Sequence, residues 1–182
     1  DGWPTPISIE EHSHAAMANA YEAGAAGLPF AVLRGYIGVD LPKVNSNIRH
    51  VTCPFTGEKL AAVPALRPDV AIVHALRADR AGNVLLEGIV GVQKEAVLAA
   101  KRSLVTVERV VEELELRPGG IVIPRWEIDA VAEAPGGSRP SYSLGITVRD
   151  NDFYKFWDEL SRDRDAFRQW MEENVIAGVR AA

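Results

Sequence analysis

The clearest pattern of apolar and polar positions lies between residues 69 and 108. Residues 70–76 form a short apolar run that only His74 interrupts, which is typical of a buried strand. The following Asp79-Arg80-Ala81-Gly82-Asn83 combines an Asp whose carboxylate can bond the backbone two residues on with a Gly-Asn pair that tolerates positive φ. The pattern therefore predicts a strand that ends in a tight turn.

The apolar spacing changes after this turn. Residues 84–86 are apolar and predict a second strand, whereas the apolar positions of residues 92–100 recur at helical spacing between charged side chains. Residues 103–107 then predict another strand. Strand, turn, strand, helix and strand in this order indicate an α/β fold with an open, mostly parallel sheet and flanking helices.

The residues before this segment predict a helix, a strand and a long loop. Ser8-Ile9-Glu10-Glu11 has the Ser-x-x-Glu form of a capping box, so we place a helix over residues 9–26. Residues 30–33 predict a short strand, and residues 34–49, rich in Gly, Pro and Asn, predict a loop long enough to be functional. Two extended segments are predicted at residues 51–53 and 59–63.

The residues after 108 predict short elements and then a helical tail. We expect a short helix at residues 110–114 and strands at residues 121–123 and 128–132. From Asp152 two amphipathic helices are expected. Their apolar stripes are Phe153, Phe156, Trp157 and Leu160 on the first, and Phe167, Trp170, Met171 and Val175 on the second. We therefore divide the chain into an α/β domain of residues 1–150 and a tail of residues 151–182 that packs on this domain or on a partner.

Composition narrows the class of protein. The 182 residues are 47% hydrophobic and 25% charged, which is the range of a single globular domain. No apolar run approaches the roughly 20 residues that cross a bilayer. A net charge of -5, from scattered side chains, gives no footprint for nucleic acid. The single Cys53 excludes an intramolecular disulfide and multi-cysteine metal sites, and suits a reducing cytoplasm.

Four separate stretches carry a recognisable combination of residues. They are Glu11 with Ala23-Gly24-Ala25-Ala26-Gly27-Leu28-Pro29-Phe30; Arg77-Ala78-Asp79-Arg80-Ala81-Gly82-Asn83-Val84; Ala99-Ala100-Lys101-Arg102 with Thr106-Val107-Glu108; and Ala134-Pro135-Gly136-Gly137 with Pro140. In this order they resemble the A (alpha) subunit of the family I coenzyme A transferases. The glutaconate type and the related ring-opening CoA-ester hydrolases of steroid breakdown look closest.

The resemblance implies a CoA-transferase fold, a coenzyme A thioester as substrate and no tightly bound cofactor. The nucleophilic glutamate of this family usually lies in a B-type subunit, within Glu-Asn-Gly, and this sequence contains no Glu-Asn-Gly. The Gly-rich βαβ segment with which such subunits begin is not present either. We therefore expect the chain to correspond to the C-terminal two thirds of an A-type subunit and to work in a hetero-oligomer with a B-type subunit.

Two residues are candidates for catalysis, and each has a structural alternative. Glu11 either completes the capping box or, as in the hydrolases that resemble this region, faces the acyl group. His74 interrupts an apolar strand, so it is either a hydrogen-bonded core histidine or a general acid or base that faces the substrate. A metal site is not expected, because His12 and His14 would point apart on a helix.

Substrate binding is expected from the long loop. Loops that follow the carboxyl ends of strands line the ligand crevice of open α/β sheets, so Arg34, Ser46 and Asn47 are the predicted binding residues. The resemblance agrees, because such subunits place contacts to the acyl carboxylate there.

Three functions remain open at this stage. The first is one subunit of a heteromeric CoA-transferase that moves CoA between a carboxylic acid and an acyl-CoA. The second is an acyl-CoA ester hydrolase on the same scaffold, in which Glu11 or His74 activates water. The third is a non-catalytic binding or scaffold subunit. The sequence does not select the acyl group.

Overall fold

The computed structural model describes residues 8–180 and divides them into two compact units, one up to Ala134 and one from Pro135. The sequence pattern predicts this division after residue 150. The earlier division has a local cause, because the Asp150 N–H donates to the Pro140 carbonyl at 3.0 Å and so ties residues 140–150 to the start of the tail.

The described residues form six α-helices and eight strands. The helices are α1 (His14–Ala25), α2 (Leu41–Val44), α3 (Gln93–Ala99), α4 (Asn151–Leu160), α5 (Arg164–Met171) and α6 (Ala177–Arg180). The strands are β1 (Phe30–Leu33), β2 (Arg49–Thr52), β3 (Lys59–Pro64), β4 (Ala71–Asp79), β5 (Val84–Leu86), β6 (Ser103–Val111), β7 (Ile121–Ile123) and β8 (Ala130–Glu133). A 3₁₀ turn covers Arg125–Glu127, and a π-helical stretch, Glu172–Ile176, joins α5 to α6.

The larger sheet has the strand order β7-β5-β4-β6-β8. β4, β6 and β8 are parallel, and β5 is antiparallel to both of its neighbours, so β7 runs in the same direction as β4. Four of the five strands therefore share one direction. α3 crosses from β5 to β6, and its Val97 joins Val73, Val105 and Val107 in the buried core. The predicted α/β fold with an open, mostly parallel sheet is confirmed.

The turn after β4 forms as predicted. The Asp79 carboxylate accepts the backbone N–H of Asn83 at 2.9 Å and its side-chain amide at 2.7 Å, and Gly82 has a φ of +92°. Burial alone would raise the pKa of Asp79, but the hydrogen bonds from Asn83, Ala81 and Gly82 outweigh it, so the pKa lies below its usual value. The turn is therefore held by an ionised carboxylate.

A second, three-stranded antiparallel sheet, β1-β3-β2, was not predicted as a separate layer. One of its faces packs against α1 through small side chains, and Ala16, Ala20 and Ala23 of the helix are buried there. Small residues let the helix backbone approach the sheet closely. This layer, rather than the larger sheet, carries the long loop of residues 34–49.

One predicted element after residue 108 is wrong, and another has shifted bounds. Residues 110–114 do not form a helix, because β6 continues to Val111 and pairs with β4 as far as Asp79. The Val110 N–H is also bonded by the Glu133 carboxylate at 2.6 Å. The strand predicted at residues 128–132 instead begins at Ala130, because the Ile128 N–H still donates to the Arg125 carbonyl at the end of the 3₁₀ turn and is not paired in the sheet.

The predicted start of the first helix is also wrong. α1 begins at His14 and not at residue 9, and its N-cap is Ser13, whose Oγ accepts the Ala16 N–H at 3.2 Å. Residues 8–13 are not helical, so Glu11 does not complete a capping box with Ser8. The end of the helix is close to the prediction, and Gly27, with a φ of +72°, follows it.

The second unit contains the two predicted amphipathic helices. Asp150 caps α4 and Asp163 caps α5 with their carboxylates. The aromatic stripes face each other: the rings of Trp157 and Trp170 lie 5.0 Å apart, and those of Trp157 and Phe167 lie 5.7 Å apart. No helix among the described residues is both long and apolar enough to span a bilayer.

Candidate functional site

The extended segment before α1 meets the long loop at a cluster of polar side chains. The Glu10 carboxylate accepts the Asn47 side-chain amide at 2.8 Å, and its other oxygen contacts His12 Nε2 at 2.6 Å. Asn45 donates to the carbonyl of Glu11 at 2.8 Å and accepts the Asn47 N–H at 2.9 Å. Two segments about 35 residues apart in sequence are therefore bonded into one polar cluster.

The charge of this cluster lies on Glu10. The hydrogen bond from His12, followed by that from Asn47, holds the pKa of Glu10 below its usual value. Glu10 is therefore an anion at neutral pH, and its side chain is 46% exposed. The His12 side chain is 11% exposed, and its Nδ1 has no hydrogen-bond partner among residues 8–180, so the ring is oriented through Nε2, which lies 2.6 Å from Glu10 and 3.4 Å from Asn45 Nδ2.

Tyr36 fixes the long loop to the start of α1. Its hydroxyl donates to Ser13 Oγ at 3.0 Å and accepts the Ser13 N–H. Tyr36 is buried and has a φ of +69°, a left-handed conformation that is unfavourable for a residue with a side chain. The hydrogen bonds to Ser13 help to hold the residue in this conformation.

We expect Tyr36→Phe to lower the free energy of unfolding by about 0.5–1.5 kcal/mol, because Ser13 loses a part-buried hydrogen-bond partner. Urea unfolding measures this loss. Tyr21→Phe is the matched control, since Tyr21 lies on α1 and no hydrogen bond of its hydroxyl is seen within the described residues. Equal stability of the two variants would show that the Tyr36 hydroxyl does not hold the loop.

Two adjoining pockets open beside this cluster. The first, which we call the His12 pocket, has a volume of about 250 Å³; Glu10, His12 and Asn47 form its polar end, and α1 and β3 form its apolar walls. The second, the Arg49 pocket, has a volume of about 320 Å³ and contains Asn47, Arg49 and His50. Both pockets include Asn47, Val63 and Pro64. Asn47 therefore lies where the two pockets meet.

Three of the five predicted site residues lie at or beside this cluster. Asn47 is part of it through its side chain, and Ser46 is exposed in the adjacent turn. Glu11 takes part through its backbone carbonyl, while its exposed side chain lines neither the His12 pocket nor the Arg49 pocket. Glu10 contributes its carboxylate to this cluster, and a catalytic role for the Glu11 side chain stays a prediction.

Arg34 lies away from the cluster. Leu33 pairs with Ala61, whereas Arg49 pairs with Ala62, so Arg34 and Asn47 are separated by about four residues, or ~13 Å, along β3. The Arg34 guanidinium makes a bidentate pair with Glu58 at 2.8 and 3.0 Å. This hydrogen-bonded contact raises the pKa of Arg34.

His74 lies in the larger sheet, where its register partner on β6 is Thr106. Its Nδ1 is 2.9 Å from Thr106 Oγ1 and its Nε2 is 3.1 Å from Glu108 Oε1. Both ring nitrogens therefore have partners, as expected of a hydrogen-bonded core histidine. A catalytic role for His74 stays a prediction.

Glu10, His12 and Asn45 were not predicted from the sequence. A signal was present, because Glu10 and His12 are two residues apart and side chains at this spacing lie on the same side of an extended chain. The predicted helix over residues 9–26 concealed it, since the same spacing points side chains apart on a helix. Within residues 8–180, no group of three or more His, Cys, Asp or Glu side chains is arranged to hold a metal ion.

Comparison with known proteins assigns the chain to a protein family. Residues 5–134 match the sequence profile of the family described as Coenzyme A transferase. The chain therefore belongs to the coenzyme A transferase family.

Similarity to individual proteins and solved structures supports this assignment. The chain is 59% identical over 174 residues to the A subunit of the 3-oxoadipate CoA-transferase of Pseudomonas knackmussii, an alignment that covers 96% of this chain and 62% of that protein. The crystal structure of glutaconate coenzyme A-transferase from Acidaminococcus fermentans matches with a TM-score of 0.78 and 31% identity, over 90% of this chain and 57% of that one. A variant of the decarboxylase AibA/AibB matches with a TM-score of 0.72 and 29% identity, over 84% of this chain and 56% of that one. The chain thus spans less than two thirds of the length of these relatives.

Proposed function

We propose that this chain is the acyl-binding part of an A-type subunit of a heteromeric CoA-transferase. The observation that carries the proposal is the 59% identity to the A subunit of a 3-oxoadipate CoA-transferase along 96% of the chain. The match includes both the loop of residues 34–49 and the segment before α1, the two parts that form the polar cluster.

The nucleophile is supplied by a partner. CoA transfer requires a carboxylate that attacks the acyl-CoA carbonyl and forms a mixed anhydride with release of the CoA thiolate. The thiolate then attacks the glutamyl carbonyl of the anhydride, which frees the first carboxylic acid and leaves a glutamyl-CoA thioester. This sequence has no Glu-Asn-Gly, the setting in which the family carries that glutamate. A B-type subunit therefore completes the site.

The proposed role of this chain is to bind the acyl group. The His12 and Arg49 pockets together offer an apolar floor with polar groups at defined points, which is the usual composition of a small-molecule site. Asn47, fixed by Glu10 and Asn45, presents its side chain where the pockets meet. Glu10 and His12 act as positioning residues for Asn47 and for the mouth of the His12 pocket.

The proposed substrates are acyl groups of dicarboxylic acids. The names of two relatives, 3-oxoadipate and glutaconate CoA-transferases, both specify dicarboxylic acids of five or six carbons. The two adjoining pockets, of about 250 and 320 Å³, have room for acyl chains of this size.

Trapping of the covalent intermediate tests this function. The chain is assembled with a B-type subunit, incubated with an acyl-CoA and treated with borohydride, which reduces a glutamyl-CoA thioester. We expect a reduced glutamate on the partner by mass spectrometry, and CoA transfer that depends on an added carboxylic acid.

The alternatives give different results in the same experiment. A hydrolase would release free CoA without an acceptor acid and without the trapped glutamate. A scaffold subunit would bind the partner, or fail to bind it, with neither product. Either result would contradict the proposed transfer.

A further inference from the structure

Arg49 is an exposed cation in a pocket, without an acidic partner among the described residues. It opens β2 and lines the Arg49 pocket together with Asn47. No carboxylate among residues 8–180 lies within ion-pair distance of its guanidinium, in contrast to Arg34, which Glu58 holds at 2.8 Å. Arg49 is therefore free to bind an anion from solution.

The surroundings of Arg49 suit an acyl chain. Phe30, Val51, Ala62 and Pro64 contribute apolar surface to the same pocket. Phe30 is 45% exposed, although it is a large hydrophobic residue at the start of a strand. An acyl chain lying on this surface would cover apolar area that water contacts in the free protein.

The charges of Glu10 and Arg49 favour one orientation of an acyl group bound in the two pockets. Glu10 is an anion bonded to Asn47, and Arg49 is a cation two residues further along the chain, so the Cα atoms of Asn47 and Arg49 are at most about 7 Å apart. A carboxylate at the far end of an acyl chain is repelled at the Glu10 end and attracted at the Arg49 end. A chain of five or six carbons matches this separation.

We propose that Arg49 determines specificity by binding the distal carboxylate of a dicarboxylic acyl group. The acyl chain then lies across Phe30 and Pro64, with its thioester end towards Asn47. A guanidinium can form two parallel hydrogen bonds to one carboxylate, which a lysine cannot. This inference rests on the proposed function, because it takes its ligand class from that reaction.

Titration of the isolated chain with small thioesters tests the inference. Adipyl and hexanoyl thioesters of N-acetylcysteamine have the same chain length, and only the first carries a distal carboxylate. We expect the adipyl thioester to move the Nε–Hε cross-peak of Arg49 in ¹H–¹⁵N spectra, and the hexanoyl thioester to leave it in place. Arg49→Gln should weaken adipyl binding about 10-fold, the low end for a charged hydrogen bond because the site is exposed.

Three further variants test whether the effect is specific to the guanidinium of Arg49. Arg109→Gln removes the same charge from an exposed position of β6 outside both pockets, and should bind the adipyl thioester as the wild type does. Arg49→Lys should recover only part of the lost affinity. Loss of binding in Arg34→Gln but not in Arg49→Gln would overturn the inference in favour of Arg34.

An Arg49 cross-peak that does not move on addition of the adipyl thioester, or that moves equally with the hexanoyl thioester, would also overturn the inference. The wild-type titration decides this even if Arg49→Gln does not fold. The titration needs neither CoA nor a partner subunit. A negative titration would therefore contradict only the role of Arg49. The proposed CoA transfer is tested separately by the trapping experiment.

Discussion

Replacement of Gly24 by Ala is expected to destabilise the protein by about 3 kcal/mol, although Ala is the better helix former by about 1 kcal/mol. Gly24 is buried on α1, and a Cβ at this position would lie 1.9 Å from the Leu66 carbonyl oxygen and 3.2 Å from the Ala99 Cβ. The Leu66 backbone has little freedom to retreat, because its N–H donates to the Ala20 carbonyl at 2.9 Å. α1 must therefore move away from β3 and α3.

Thermal unfolding measures this effect, and a loss of about 3 kcal/mol corresponds to a fall in Tm of roughly 6–12 °C for a chain of this size. Gly178→Ala is the matched control, because Gly178 also lies in a helix and a Cβ there would have no heavy atom within 4 Å. That variant should be neutral or slightly stabilised. A Gly24→Ala protein as stable as the control would show that α1 does not pack closely on Leu66.

The parts of the fold that were predictable are those with a local cause. β1, β5 and β7 have the bounds that the short apolar runs indicate, and Asp79 with Asn83 forms the turn that their residue types favour. These features depend on residues that are neighbours in sequence, so the pattern contains the information. The α/β class follows from their order.

The features that were not predictable depend on partners far away in sequence. β6 extends to Val111 because β4 offers it a partner along its whole length. The antiparallel sheet β1-β3-β2 forms because α1 covers one of its faces, and no local pattern distinguishes its strands from those of the larger sheet.

The site itself was predicted in part for the same reason. A long loop was predicted over residues 34–49 from composition, but α2 (Leu41–Val44) lies within it and β2 begins at Arg49. Asn47, from this loop, lies where the pockets meet. The Tyr36 hydroxyl, 23 positions away in the chain, helps to make Ser13 the cap of α1, and this leaves Glu10 and His12 extended and side by side. The capping signal at Ser8 was local and had no such support, so the predicted helix began five residues too early.

The role of His74 can be decided by a double-mutant cycle with Glu108. The Glu108 side chain is 2% exposed and that of His74 is 16% exposed, with 3.1 Å between their bonded atoms. Each single replacement removes the contact between these two side chains, while His74 keeps Thr106 and Glu108 keeps a further interaction. His74→Leu and Glu108→Leu should therefore each lower the free energy of unfolding by about 3 kcal/mol, the low end for a broken buried pair. The double variant should lose less than the sum of the two, because the second replacement removes a contact that the first has already broken.

Kinetics of the assembled enzyme separate this structural role from a catalytic one. If His74 serves the core, the folded fraction of His74→Leu, measured well below its Tm, should retain kcat within a few-fold of the wild type, since both ring nitrogens are already bonded to Thr106 and Glu108. If a His74→Leu enzyme kept its stability but lost about 100-fold in kcat, this result would instead indicate that His74 is a general acid or base. The chemistry of the family would then extend into the larger sheet, away from the cluster around Asn47.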